Sequence, residues 1–273
     1  MTLVDVNGTE TYAHDGGVPW QPGRPAAVFI HGAGFDHTLW QQQSRALAQL
    51  GAGGGFNVAA LDLPGHGRSA DRPAIASVSD YAAFVAEFIE AAGLKPAALI
   101  GHSLGVAIAL ACAAEHPESV SALALVNSGL EMPVAPALLQ ATSDDPAKAV
   151  AFITSFAHGR ASHIGHAPTP GSWLIGTATA LLGACTPEVL HRDFAVCNEW
   201  KGAPMAARVT CPALVVGGRG DRMTPPKAGR ALAEAIPGAR FELLDGAGHM
   251  IPTEAPRPLL KLLQGFLATA KAA

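Results

Sequence analysis

The chain has 273 residues, 49% of them hydrophobic and 15% charged, with a formal net charge of −4. That length and composition support one large domain, or one domain carrying an insertion, with its own core, and exclude a disordered chain. No basic excess or Lys/Arg block offers a grip to nucleic acid or to an anionic membrane, so neither is an expected partner.

From the start of the chain, Thr2 to His14 reads as two short extended stretches around Asn7-Gly8, a two-residue hairpin signal. The opening residues carry acids and a turn dipeptide where an export signal needs a basic and then an apolar stretch. Cys112, Cys185, Cys197 and Cys211 form no C-x-x-C pair and have no closely spaced histidine partners. They read as free thiols in a reducing compartment, which predicts a cytoplasmic protein.

Apolar runs too short for helices follow at Ala26 to Ile30, Val58 to Leu61, Ala97 to Ile100 and Leu123 to Val126, as buried parallel strands require. Between them, helical composition covers Trp40 to Leu50, Ser79 to Ala92 and Leu104 to Glu115, the last stopped by Pro117. The Gly51 to Gly55 run follows a helix and not a strand, so it predicts a connector instead of a phosphate cradle. Pro96 to Ala114 is uncharged and approaches the length of a bilayer span. Gly101, His102, Ser103 and Gly105 in its middle divide it into a strand and a helix, which argues against a membrane segment.

Between Ser128 and about Val209 the strand rhythm lapses into helix-like pieces rich in Ala, His, Pro and Thr. A connection that long inside a compact domain is expected to be functional. It predicts a helical lid over residues 129–209, inserted into a core formed by residues 1–128 and 210–273. The rhythm resumes with strands at Ala213 to Val216 and Phe241 to Leu244, and with helices at Pro226 to Ala235 and Pro256 to Ala268. The expected fold class is therefore α/β, a mostly parallel sheet with helices on both faces.

The sharpest motif is Gly101-His102-Ser103-Leu104-Gly105, directly after a predicted strand and before a predicted helix. A serine there sits on a tight strand-to-helix turn, its hydroxyl clear of the sheet and beside the helix amides. A serine hydroxyl is a weak nucleophile at neutral pH and needs a base, which in turn needs an orienting carboxylate. His249, in Gly246-Ala247-Gly248-His249, follows the last predicted strand, and Asp221 follows the strand before it. Asp245 is the rival acid, but it shares the strand end of His249 and is disfavoured. His31-Gly32-Ala33-Gly34 follows the first parallel strand, so Ala33, with Gly34 as fallback, can join Leu104 in offering backbone N–H groups to an oxyanion. His31 is expected to brace that loop. His102, Phe152, Phe156, Trp173 and Met250 are the candidate pocket residues. The insertion histidines His158, His163 and His166 lack the ligand pattern of a metal centre, so no metal is expected.

Taken in order, His31-Gly32-Ala33-Gly34 with Trp40, Asp62-Leu63-Pro64-Gly65-His66-Gly67-Arg68-Ser69, the serine pentapeptide, Asp221 and Gly248-His249 resemble a lidded member of the α/β-hydrolase superfamily. The resemblance covers almost the whole chain outside the insertion. It implies attack by Ser103 on a carbonyl carbon, proton shuttling by His249, release of an acyl enzyme by water, and no cofactor. The expected substrate is a small or medium carboxylic ester, lactone or thioester. Carbon-carbon hydrolysis of a diketone-like compound, or non-catalytic binding of a small ligand, are the alternatives. Relatives with an aspartate nucleophile, or with tyrosines in the lid, differ: Ser103 stands at the nucleophile position, and Tyr12 and Tyr81 lie outside the insertion.

Overall fold

The computed structural model describes residues 2–50, 55–168 and 171–270, so most of the Gly51 to Gly55 run lies outside the described residues. Strands β1 (Thr2–Val6) and β2 (Thr9–His14) form the N-terminal hairpin. Asn7 and Gly8 take φ of 51° and 85°, the two successive positive values that a tight hairpin turn demands and that this residue pair tolerates.

The chain then alternates between sheet and helix. In order come β3 (Ala26–Ile30), α1 (Gln41–Ala48), β4 (Asn57–Leu61), α2 (Val78–Ala91), β5 (Ala97–His102), α3 (Leu104–Glu115) and β6 (Val120–Val126). Among the described residues six helices follow before the next strand: α4 (Pro136–Asp144), α5 (Pro146–Ala157), α6 (Arg160–His163), α7 (Leu174–Ala184), α8 (Pro187–Glu199) and α9 (Ala203–Ala206). The chain closes with β7 (Ala213–Gly218), α10 (Pro226–Ala235), β8 (Arg240–Leu244), α11 (Ile251–Glu254) and α12 (Pro256–Ala270).

Among the described residues the sheet order is β1-β2-β4-β3-β5-β6-β7-β8, antiparallel through β2 and parallel from β4 onward. Every residue of β3, β4, β5 and β7 is buried, because helices cover both faces, and this removes the alternation of a one-faced strand. The uncharged stretch seen in the sequence is β5 followed by α3, whose residues from Leu104 to Ala114 are all buried. Among the described residues no helix is long and apolar enough to cross a membrane.

Candidate active site

The loops that leave the carboxyl ends of β3, β5, β7 and β8 carry His31 to Gly34, Ser103, Asp221 and His249. Open parallel sheets place their sites at this edge. Ser103 lies between β5 and α3 with φ 54° and ψ −115°, a conformation that side chains other than glycine rarely adopt. Its hydroxyl makes no capping bond to α3. The turn is possible only because its flanking residues lack side chains. A Cβ at Gly101 would stand 2.2 Å from Gly105 O, and one at Gly105 would stand 2.3 Å from Ile30 O.

The imidazole of His249 is held from one side. Its Nδ1–H donates to Asp221 Oδ2 at 2.8 Å, with both residues buried. Asp221 is itself surrounded by donors: Met223 N and Thr224 N reach Oδ1 at 2.8 and 2.9 Å, and Thr224 Oγ1 and Asn127 Nδ2 reach Oδ2 at 2.7 and 2.6 Å. Burial alone would raise its pKa, but the imidazole and these donors outweigh burial and hold the carboxyl well below the usual carboxylate range. The acid is thus ionised and oriented, which fixes the tautomer that leaves Nε2 of His249 as a base. Among the described residues no hydrogen bond joins Ser103 to His249; in hydrolytic sites such contacts commonly tighten only around substrate.

Asp245, the rival acid, turns outward and pairs with Arg219 on the exposed surface. Of the two oxyanion candidates at the β3 loop, Ala33 lines the same cavity as Ser103 and His249. Gly34 does not: its N–H is already given to Asp193 Oδ2 at 2.9 Å. The amides of Ala33 and Leu104 have no hydrogen-bond partner among the described residues. His31 sits behind the loop, donating from Nδ1 to Gly32 O at 2.8 Å and accepting Leu63 N–H at Nε2 at 3.0 Å. Burial, reinforced by His66, pushes His31 down to about 4, so it works as a neutral brace.

The cavity that contains Ser103 and His249 has a volume of about 280 Å³. The core supplies its floor, and the helical insertion supplies Met132, Leu138, Phe152, Ile153, Phe156 and Phe194. Phe152 and Phe156 stack at 4.4 Å between ring centroids and remain partly exposed, and the Arg222 guanidinium lies 4.9 Å from the Phe156 centroid. Met250 also lines the cavity and is buried. His102 lines it too, but its Nε2–H donates to His249 O at 2.8 Å, so it supports the histidine loop. Burial first, and then the neighbouring His249, push His102 down to about 3. Trp173 is the correction: it is 72% exposed and absent from the cavity wall, because its ring folds over Gly176 at the start of α7. A groove of about 860 Å³ lies at the opposite edge, by Trp20, Pro96 and Leu267, away from these groups.

The insertion histidines form no metal-ligating group among the described residues; His158, for instance, donates from Nδ1 to Thr154 O at 2.9 Å. Among the described residues the one cluster with suitable ligand spacing is Asp36, His37 and Asp62, and there Asp62 Oδ1 already accepts both His37 N–H at 2.7 Å and Nδ1–H at 2.8 Å. Sequence reasoning missed Asn127, whose place directly after β6, at the same sheet edge, was the available signal. It also missed Thr224, Asp193 and Glu254. The carboxylate of Glu254 accepts Gly248 N–H at 2.8 Å and Gly159 N–H at 2.7 Å, fastening the histidine loop to the insertion.

Comparison with known proteins places the chain's sequence and fold among known ones. The sequence profile described as "Alpha/beta hydrolase family" matches residues 27–262. RutD of Cronobacter sakazakii, provisionally named a carbamate hydrolase, is 30% identical in an alignment of 261 positions that covers 91% of this chain and 92% of that protein. The dihydrolipoyllysine-residue acetyltransferase component of the acetoin cleaving system of Cupriavidus necator is 38% identical over 126 residues, 46% of this chain and only 31% of that protein. A solved thermophilic esterase superposes with a TM-score of 0.80 at 27% identity, covering 98% of this chain and 97% of the other.

Proposed function

Because the chain belongs to the alpha/beta hydrolase family, we propose that it is a cofactor-independent serine hydrolase that cleaves a small or medium carboxylic ester, lactone or thioester through an acyl enzyme. The observation that carries the reading is the 2.8 Å bond from His249 to Asp221, with His249 lining the same apolar cavity as a serine held on a strained turn. Strain of that kind is kept where it serves a reaction.

In this mechanism Ser103 Oγ attacks the substrate carbonyl while His249 Nε2 takes its proton, and Asp221 stabilises the imidazolium that results. The carbonyl oxygen, now an alkoxide, is received by the N–H groups of Ala33 and Leu104. As the tetrahedral species collapses, His249 returns the proton to the leaving alcohol or thiol, and the acyl group stays on Ser103. Water then enters, loses a proton to His249, attacks the acyl carbon and releases the acid, with Ser103 regaining its proton. No step calls for an outside oxidant or metal.

A cavity of about 280 Å³ with mostly apolar walls fits a short or medium acyl chain. The helical insertion roofs that cavity, and we assign it the role of a lid. The name of the RutD relative adds carbamates to the substrates to be tried.

The test is labelling by a fluorophosphonate together with turnover on esters of graded acyl length, a lactone, a thioester and a carbamate. Wild-type protein is expected to be labelled and to turn over at least one of these. Ser103→Ala is expected to lose both while keeping its fold by circular dichroism. Substantial turnover in pure Ser103→Ala would refute the assignment.

A further inference from the structure

The loop that carries Ala33 is gripped from behind by a residue of the insertion. Asp193, on α8, is fully buried, and its carboxylate accepts three hydrogen bonds from three separate parts of the core. Oδ2 takes Gly34 N–H at 2.9 Å and His66 Nε2–H at 2.9 Å, and Oδ1 takes the Tyr81 hydroxyl at 2.7 Å. Burial opposes charge on both Asp193 and His66, but their mutual attraction outweighs it: the carboxyl is held below its usual range and the imidazole is raised to about 10. The pair is therefore ionic, and a charged acceptor binds an N–H about twice as strongly as a neutral one.

The consequence follows from peptide planarity. In a trans peptide the C=O and the N–H point in opposite directions, so fixing one fixes the other. Gly32 O accepts Phe35 N–H at 3.2 Å and His31 Nδ1–H at 2.8 Å, which sets the plane whose other end is the Ala33 N–H. The next plane, ending in the Gly34 N–H, is set by Asp193. Ala33 is thus held by its two flanking peptides, one braced by the core and one by the insertion. Contact is close here as well, since a Cβ at Gly34 would stand 2.7 Å from Leu190 Cδ1 and 2.8 Å from Leu182 Cδ2, both in the insertion.

We infer that Asp193 is a positioning residue for the oxyanion site: by accepting the Gly34 N–H it orients the loop that presents the Ala33 amide, so the site is complete only while α8 is docked. The inference rests on the serine-hydrolase reading and assigns Gly34 a supporting role in place of the donor role.

The experiment compares Asp193→Ala, Asp193→Asn and Tyr81→Phe in the full chain, using the best ester substrate and a trifluoromethyl ketone whose serine adduct carries an oxyanion. Asp193→Ala is expected to lower kcat by about 10- to 100-fold, a share of what loss of a whole oxyanion donor costs. KM should stay within about threefold, and the ketone should weaken by the same factor as kcat. Asp193→Asn should recover most of the activity, because its amide oxygen can still accept the Gly34 N–H. Tyr81→Phe, which removes a bond to the same carboxylate but not the one to Gly34, should lower thermal stability and leave kcat and the ketone unchanged. If Asp193→Ala does not fold, glycolic acid in place of Gly34 replaces that N–H with an ester oxygen, which cannot donate to Asp193, and should reproduce the kcat loss.

Unchanged kcat in the alanine or ester variant overturns the inference. So does an asparagine variant as impaired as the alanine one, which would mark the carboxylate as a stabilising charge alone. A wild-type protein that turns over no substrate and resists fluorophosphonate refutes instead the serine-hydrolase reading on which the inference stands.

Discussion

Gly105→Ala puts two physical effects in direct opposition, and the geometry decides which one prevails. Position 105 is helical, and alanine is a better helix former than glycine by about 1 kcal/mol, so propensity alone predicts a more stable protein. The added Cβ, however, would stand 2.3 Å from Ile30 O and 2.7 Å from His31 O. Those are backbone atoms at the end of a central strand, and they cannot turn aside as the tip of a side chain can. Relief requires α3 to retreat from β3 by the better part of an ångström, and overpacking of that kind costs about 1–3 kcal/mol, with backbone obstacles at the upper end. Subtracting the propensity gain leaves a net loss of about 1–2 kcal/mol, or a fall in melting temperature of about 2–8 °C for a domain of this size. The retreat also moves Ser103 and the Leu104 amide away from Ala33, and a misplacement of about 1 Å at a reacting centre costs on the order of 100-fold in rate. Thermal melts and ester kinetics on purified protein read the two effects separately. A variant as stable as wild type with undiminished kcat would show that β3 and α3 do not approach as closely as described, and the case for a tight nucleophile turn would fall with it.

Asp221→Asn is expected to lower kcat by about 10⁴-fold with little change in KM, because an amide among four donors cannot hold the His249 tautomer; kinetics within tenfold of wild type would refute the role. His31 and His102 are held neutral at about 4 and about 3, below their ordinary value of 6.5. Below pH 6.5 the unfolded chain therefore binds protons that the folded chain refuses, and urea midpoints should fall as pH drops from 6.5 towards 4. His66, raised to about 10, has the opposite sign: its contribution is full below pH 6.5 and is lost as pH rises towards 10, so His66→Gln should flatten that alkaline decline. A stability maximum near pH 9 would contradict the His66 assignment, and urea midpoints that hold or rise as pH drops from 6.5 to 4 would contradict those of His31 and His102.

The parts of this protein legible in its sequence are those that local physics dictates. Apolar runs too short for helices marked the buried strands, Asn7-Gly8 marked the hairpin, and Gly101 and Gly105 marked a turn that closes only without side chains. The position of each candidate triad residue followed from counting strand ends. What sequence does not encode locally is which distant groups meet. Asp193 lies 159 residues from Gly34, and nothing about an aspartate amid the helical pattern of α8 announces that it faces inward. Trp173 failed for a related reason: an aromatic residue in an apolar helical stretch has no local signal for direction, and this one turned back on its own helix. Asn127 was closer to reach, since it stands immediately after β6 at the edge where the other groups converge, and its φ of 52° is a conformation that asparagine tolerates better than most residues.

On the proposed function, the same long-range contacts bear on how substrate would reach Ser103. The insertion is fastened to both reactive loops. Asp193 holds the loop of Ala33, while Glu254 accepts Gly159 N–H and Ser162 Oγ–H at 2.7 and 2.6 Å and Gly248 N–H at 2.8 Å. His249 N–H adds a bond to Ala157 O at 2.7 Å. Lifting the whole insertion would break all of these together, at about 1 kcal/mol each and more where a buried group is left unpaired. It would also dismantle the oxyanion loop and the histidine loop just as substrate arrived. The stacked Phe152 and Phe156, by contrast, are partly exposed, and turning them aside gives up their ring stack and the Arg222 contact, about 1 kcal/mol each, but none of the hydrogen bonds that hold the two loops. On the proposed serine-hydrolase reading, a rigid roof with a soft rim would keep Ser103, His249 and the Ala33 loop in register during entry, and on these energies the rim beside Phe156 and Arg222 is the path that would preserve the site.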